Sequence, residues 1–268
     1  VPDDVTLLLC DDNWGDVRRV PTPKERKRKG GWGLYYHVDY VGAPRNSKWI
    51  NVTPIQNMWE QLTLAAENGI DRLWILNVGD LKPMEYPIQL FIDMAWNPTA
   101  YTTENLLDHT RRFCAAAFGE EQAAEAARIL NLQCKYAGRC TAEMLDAKTY
   151  SLKDGEWEKA VSDYAALERD ALRQYTALPE NCRDAYQELI LFPVQAMANL
   201  YDMYYAQAMN HQLYEQGNPD ANTWAERCRH DFRRDSLLCA AYNHNIAGGK
   251  WNGMMIQKHI GYTTWNDN

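Results

Sequence analysis

Three short apolar runs, each ending in a knot of polar side chains and separated by a helical pattern, constrain this chain more than any other feature. Val5-Thr6-Leu7-Leu8-Leu9 leads into Cys10-Asp11-Asp12-Asn13-Trp14-Gly15-Asp16-Val17-Arg18-Arg19. The second run is Gly33-Leu34-Tyr35-Tyr36-His37-Val38-Asp39-Tyr40, and the third, Leu73 to Val78, closes on Gly79-Asp80. Between the second and third, Ile55, Met58, Trp59, Leu62 and Ala66 recur at helical spacing. Thr53 is the expected N-cap with Pro54 at the first helical position, and Asn68-Gly69 supplies the stop. A further helix is expected from about Tyr86 to Ala95. Strand, helix, strand, helix with short connections implies parallel strands joined by right-handed crossovers.

About three strands fit into the first hundred residues, fewer than a closed eight-stranded barrel needs. An open three-stranded sheet would leave long edges bare. The expectation is therefore an α/β fold, the C-terminal part of a (β/α)8 TIM barrel over residues 1–101 whose front part is absent.

From Thr102 the pattern turns all-α. Long helical segments with few breakers are expected over residues 103–118, 120–136, 141–150, 156–176, 180–216 and 222–246, with a kink at Pro193. Residues 102–250 are read as an α-helical bundle domain. The aromatic-rich tail, 251–268, is expected to pack back on the barrel or on another domain.

Composition narrows the partners. Of 268 residues, 46% are apolar and 24% charged, enough for a packed core and too few charges for disorder. The net charge of −8 argues against nucleic acid, and the one dense basic run, Lys24 to Lys29, reads as a solvated loop or short surface helix. Ten Trp and 16 Tyr against 5 Phe suit surfaces that meet sugars, because each ring offers an apolar face and a polar edge. Most of those beyond Thr102 read as helix-packing residues. Seven cysteines without CxxC spacing indicate neither a disulfide framework nor a zinc site. No stretch is long and apolar enough to span a membrane, and no signal peptide is visible.

Each strand end carries residues suited to holding a charged ligand and moving protons. Alternation points Asp11 and Asp12 in opposite directions, so one faces the mouth and the other holds the loop. Arg18 or Arg19 can clamp a carboxylate through a bidentate pair. In the second run alternation sets Tyr36, Val38 and Tyr40 on one face and Tyr35, His37 and Asp39 on the other. The third cluster is Asn77, Gly79, Asp80, Lys82, Glu85 and Tyr86, with Gly79 allowing a ligand close to the backbone. A loop-closing Asx turn with a surface ion pair, a structural histidine and a dipole-favoured Glu85 are the plain readings of the same residues. Convergence of three such ends on one mouth is what favours a site.

Asp11-Asp12-Asn13-Trp14-Gly15 with Arg18-Arg19, Gly33 to Tyr40, Leu73 to Tyr86, and Trp251 to Trp265 with Lys258-His259-Ile260-Gly261-Tyr262 resemble the glycoside hydrolase family 115 α-glucuronidases, in order along the chain. The resemblance implies removal of glucuronic acid, often 4-O-methylated, from α-1,2 linkage to the xylose of glucuronoxylan, with inversion and without a cofactor. It also implies a large, secreted or periplasmic, commonly dimeric protein, of which this chain would hold the end of the barrel and the helical domain, and would be inactive alone. The candidate carboxylates are Asp12 and Glu85, with Asp11 and Asp80 in reserve. Candidate substrate-binding residues are Asn13, Trp14, Arg18, Tyr36, His37, Tyr40, Asn77, Lys82, His259 and Tyr262; no metal ligand is assigned. The alternatives are a non-catalytic carbohydrate-binding or interaction module built on the helical bundle, and a metal-dependent barrel hydrolase using Asp11, Asp12 and His37, disfavoured by the lack of an HxH or HExxH pattern.

Overall fold

The computed structural model describes residues 1–40 and 48–261. It is mostly helical, with one small parallel sheet near the N-terminus. Strands β1 (Leu7–Cys10), β2 (Trp32–His37) and β3 (Leu73–Asn77) pair in that order, Leu8 opposite Gly33 and Gly33 opposite Leu73. Paired residues of a parallel sheet share a face, which gives the sheet two unlike sides. Leu7, Leu9, Leu34, Tyr36, Trp74 and Leu76 pack into the core. Leu8 (46% exposed), Cys10, Leu73 (50%) and Ile75 (39%) stand on the other side and face solvent.

Helix α1 (Ile55–Glu67) crosses from β2 to β3 and buries Ile55, Met58, Leu62 and Ala65, one stripe at helical spacing. It starts one residue later than expected: Pro54 is the extended N-cap, while the Thr53 amide donates to Asn51 Oδ1 at 3.3 Å. Helix α2 (Glu85–Trp96) follows β3 on the same side.

The remainder is helical. α3 (Leu106–Phe118) packs on α4 (Glu120–Ala137), and α5 (Glu156–Ala177) on α4 and α7 (Phe192–Glu215). α7 and α8 (Ala221–Asn245) form the most extensive helix pair. α7 is buried on nearly every side (Phe192, Val194, Met197, Leu200, Tyr201), as a helix enclosed by neighbours must be. One buried core runs from the sheet through α3, α4 and the short α6 (Glu180–Tyr186); a second gathers Trp49, Trp157 and Tyr164 around α7.

Two expected helices differ. Residues 141–150 hold only a 3-10 turn, Ala142–Met144. Asp146 and Thr149 explain the stop, since the Asp146 amide donates to Thr149 Oγ1 (2.9 Å) and the Lys148 amide to Asp146 Oδ1 (2.7 Å), offering the backbone an alternative to the helix. The segment 180–216 is continuous, but a π turn, Gln187–Leu191, precedes Pro193. Proline lacks the amide and crowds the carbonyl four residues back, and the wider turn absorbs both defects.

Candidate active site

The C-terminal ends of β1 and β2 meet through Asp11 and His37. Asp11 is 4% exposed and spends both oxygens on His37: Oδ2 accepts the backbone N–H at 3.1 Å and Oδ1 lies 2.5 Å from Nδ1. Register brings them together, because Cys10 pairs with Tyr35, which sets Asp11 and His37 side by side where the two strands end. With Nδ1 held by a carboxylate, the imidazole presents Nε2 as the nitrogen available to a ligand. Burial raises the Asp11 carboxyl above the usual range, against the opposing pull of His37.

Asp12 does separate work. Its Oδ1 accepts the amides of Trp14 (2.9 Å) and Asp16 (3.1 Å), and Oδ2 pairs with Arg18 Nε at 2.5 Å. The turn closes where Asp11 and Val17 form a bridge, and the Val17 amide ties the loop to α1 through Gln61 Oε1 at 2.7 Å. Gly15, at φ +80°, completes it: an added Cβ would sit 2.9 Å from Tyr36 Oη. That hydroxyl donates to the Gly15 carbonyl at 3.0 Å.

A cleft of about 240 Å³ opens beside this pair, walled by Asn13, Trp14, His37, Lys48, Asn57 and Thr141 among others. A smaller recess of about 50 Å³ lies next to it between Asp39, Lys48, Asp80, Lys82 and Gln257. Lys48 belongs to both. Burial lowers its ammonium pKa, while Glu143, Asp11 and Asp39 pull it back up. Tyr35 and Tyr40 flank the imidazole, ring centroids 4.3 and 4.9 Å away. Tyr40 was expected on the opposite face; β2 ends at His37, so alternation no longer governs residue 40. The close approach at Gly79 (φ +58°) is by a side chain, since a Cβ there would fall 2.2 Å from Asp39 Oδ2.

The third cluster joins the helical region. Lys82 pairs with Glu85 at the start of α2 and with Glu188 of the π turn, whose Oε2 is 3.4 Å away. Tyr242 of α8 donates to Glu188 Oε1 at 3.3 Å, and the Trp251 ring lies 4.3 Å from Lys82 Nζ. Burial first, and the Glu85 charge second, push the Glu188 carboxyl up to about 8. For Lys82 burial acts downward, but the Glu85 hydrogen bond and the Glu188 charge outweigh it and raise the ammonium.

Of the expected site residues, Asn13, Trp14, Tyr36 and His37 line the cleft, and Asp80 and Lys82 line the recess, where Gln257 donates to Asp80. Asn77 donates to Tyr35 Oη at 3.1 Å. Asp12 and Arg18 hold the loop, so Asp12 does not join Asp11 and His37 as a third ligand. His259 lines neither cleft: it is 8% exposed, stacked on Trp49 and paired with Asp235. Tyr262 lies outside the described residues. Lys48, Glu143 and Glu188 were not anticipated. Only Glu188 left a sequence signal, a lone acid ahead of the apolar run Leu189-Ile190-Leu191.

The sequence profile described as "Glycosyl hydrolase family 115" matches residues 1–144. No curated protein gives a significant match. Among solved structures, a family GH115 4-O-methyl-α-glucuronidase with specificity for decorated arabinogalactans superimposes with a TM-score of 0.81 at 30% identity over 96% of this chain. The chain spans 34% of that structure's length.

Proposed function

Because the chain belongs to glycosyl hydrolase family 115, we propose that it forms part of an α-glucuronidase and supplies one sector of that enzyme's active-site mouth. The observation that carries this reading is the cleft at the parallel strand ends with His37, held by Asp11, in its wall. Catalytic groups of α/β barrels gather at that end of the strands. The bare side of the sheet, with Leu8, Leu73 and Ile75 exposed, supports the further proposal that β1, β2 and β3 are neighbouring staves of a (β/α)8 barrel. Such a face is ordinarily filled by side chains from the other staves. On this reading residues 102–250 are the helical domain behind the barrel and residues 251–268 its return to the mouth.

The substrate is a (4-O-methyl-)glucuronosyl group α-linked to a polysaccharide, for which the α-1,2 bond to xylose of glucuronoxylan is the proposed case. His37 accepts a hydrogen bond from a sugar hydroxyl at Nε2, with Asp11 holding the ring through its Nδ1–H. Trp14 stacks on a sugar face, and Asn13, Lys48 and Thr141 offer polar contacts. An inverting reaction needs an acid and a base about 6.5–9.5 Å apart, with the acid kept protonated by its surroundings. Glu85, sharing Lys82 with Glu188, is the carboxyl of this sector proposed for proton handling. Asp12 is proposed to fix the turn and Arg18, and Asp80 to anchor the returning segment. The whole protein is proposed to act as a dimer outside the cytoplasm; no helix among the described residues is long and apolar enough to cross a membrane.

The test is incubation of the full-length protein with glucuronoxylo-oligosaccharides and with decorated arabinogalactan, read by NMR. The proposal expects free uronic acid, appearing first as the β-anomer. Saturable binding of either saccharide without released uronic acid would instead establish a carbohydrate-binding module.

A further inference from the structure

We propose that Asp235, Cys239 and His259 form a tetrahedral site for a transition-metal cation of the zinc type, which fastens the C-terminal segment to α8. One donor atom from each residue lies within 4.8 Å of the other two. Asp235 and Cys239 are four residues apart on α8 and therefore share a helix face. His259 reaches that face from the following segment, placing Nε2 2.8 Å from Asp235 Oδ1.

The hydrogen bonding of the imidazole points to a cation. Nδ1 lies 2.8 Å from the Gln257 carbonyl oxygen, an acceptor only, so Nδ1 carries a proton. The neutral ring then aims the Nε2 lone pair at a carboxylate oxygen, and two acceptors cannot face each other without a positive charge between them. A proton meets that need, and so does a metal ion. Metal-bound histidines commonly donate the other ring N–H to a carbonyl in this way. Trp49 fixes the ring plane, stacking at 3.6 Å and 5°. Asp235 and His259 are 7% and 8% exposed, while Cys239 is half-buried, leaving an approach for a water as fourth ligand.

Ligand chemistry selects the ion. One nitrogen, one oxygen and one sulfur suit Zn²⁺ better than a hard cation. Bond lengths near 2.0–2.3 Å place donors around a tetrahedral ion about 3.3–3.6 Å apart. The Nε2–Oδ1 pair would open slightly and Cys239 Sγ close in. A carboxylate, a thiolate and a neutral imidazole balance the two positive charges of the ion, which burial requires.

The test uses the chain as it stands, stripped with chelator and kept reduced, titrated with Co²⁺ and then Zn²⁺. The wild type is expected to take up one equivalent of Co²⁺, with the visible bands of a tetrahedral ion and a thiolate-to-cobalt charge-transfer band, and to lose both signals to Zn²⁺. Cys239→Ser should abolish the charge-transfer band with the circular dichroism unchanged, and His259→Gln should weaken uptake at least about tenfold. Failure of the folded wild type to bind Co²⁺, or an equal charge-transfer band in Cys239→Ser, would overturn the site and leave a proton-bridged His–Asp pair.

Discussion

Glu188→Gln should make this protein more stable, by a margin that grows as pH rises from about 4.5 to about 8. The wild-type carboxyl is 4% exposed and held at about 8, against 4.5 for an ordinary glutamate. The unfolded chain therefore releases this proton near pH 4.5 and the folded chain near pH 8. Between those values the unfolded state binds fewer protons, so stability falls as pH rises. A shift of about 3.5 units at about 1.4 kcal/mol each gives close to 5 kcal/mol; part of it belongs to the shared pair with Glu85, so about 3–5 kcal/mol is expected. Glutamine has the same shape and carries no charge to bury; its one carbonyl oxygen keeps an acceptor for Tyr242 or for Lys82, and the loss of the other costs about 1 kcal/mol at any pH. Urea unfolding of wild type and variant should coincide within about 1 kcal/mol at pH 4 and diverge by about 2–4 kcal/mol, in favour of the variant, at pH 9. A difference that stays constant across that range, or a variant less stable at pH 9, would mean that this carboxyl is not buried in its protonated form.

Ile75→Ser tests the barrel proposal by contrast. At 39% exposure it should cost this chain less than about 1 kcal/mol, but about 2 kcal/mol or more in the full-length protein, where other staves would cover it; calorimetry of both forms decides. Gly79→Ala should destabilise by about 1–3 kcal/mol in urea titration, since φ is +58° and the new Cβ would collide with Asp39. Tyr36→Phe should cost about 1 kcal/mol by the same measurement, because the Gly15 carbonyl loses its buried donor.

Much of the sheet was legible in the chain because apolar runs with β-rich residues and short connections admit few topologies. Leu7 to Leu9, Leu34 to Tyr36 and Leu73 to Leu76 became parallel neighbours in chain order. The stripe Ile55, Met58, Leu62 likewise read directly as the buried face of α1. What stayed hidden depended on side chains competing with the backbone or on distant elements meeting. Asp146 and Thr149 undid the helix expected after Thr141 through bonds that periodicity does not register. Alternation separated Asp11 from Asp12, yet the pairing of Asp11 with His37 needed the register of β1 against β2. Lys48 sits in no motif and gains its place only because two clefts converge on it. Glu188 reaches Lys82 across 106 positions of sequence, through a π turn that no local pattern announces.

We propose that the strand-end cleft beside Asp11 and His37 belongs to the active site of a uronic-acid-releasing glycosidase. The most direct measurement is kcat/KM of the full-length protein and its His37→Gln variant on a glucuronosyl-decorated oligosaccharide, with thermal unfolding of both as control. The wild type should release uronic acid and the variant should lose at least about 100-fold at a comparable Tm, the range expected when one preorganised hydrogen-bonding group at the reacting sugar is removed. Release within about threefold of wild type in the variant would place the active site elsewhere.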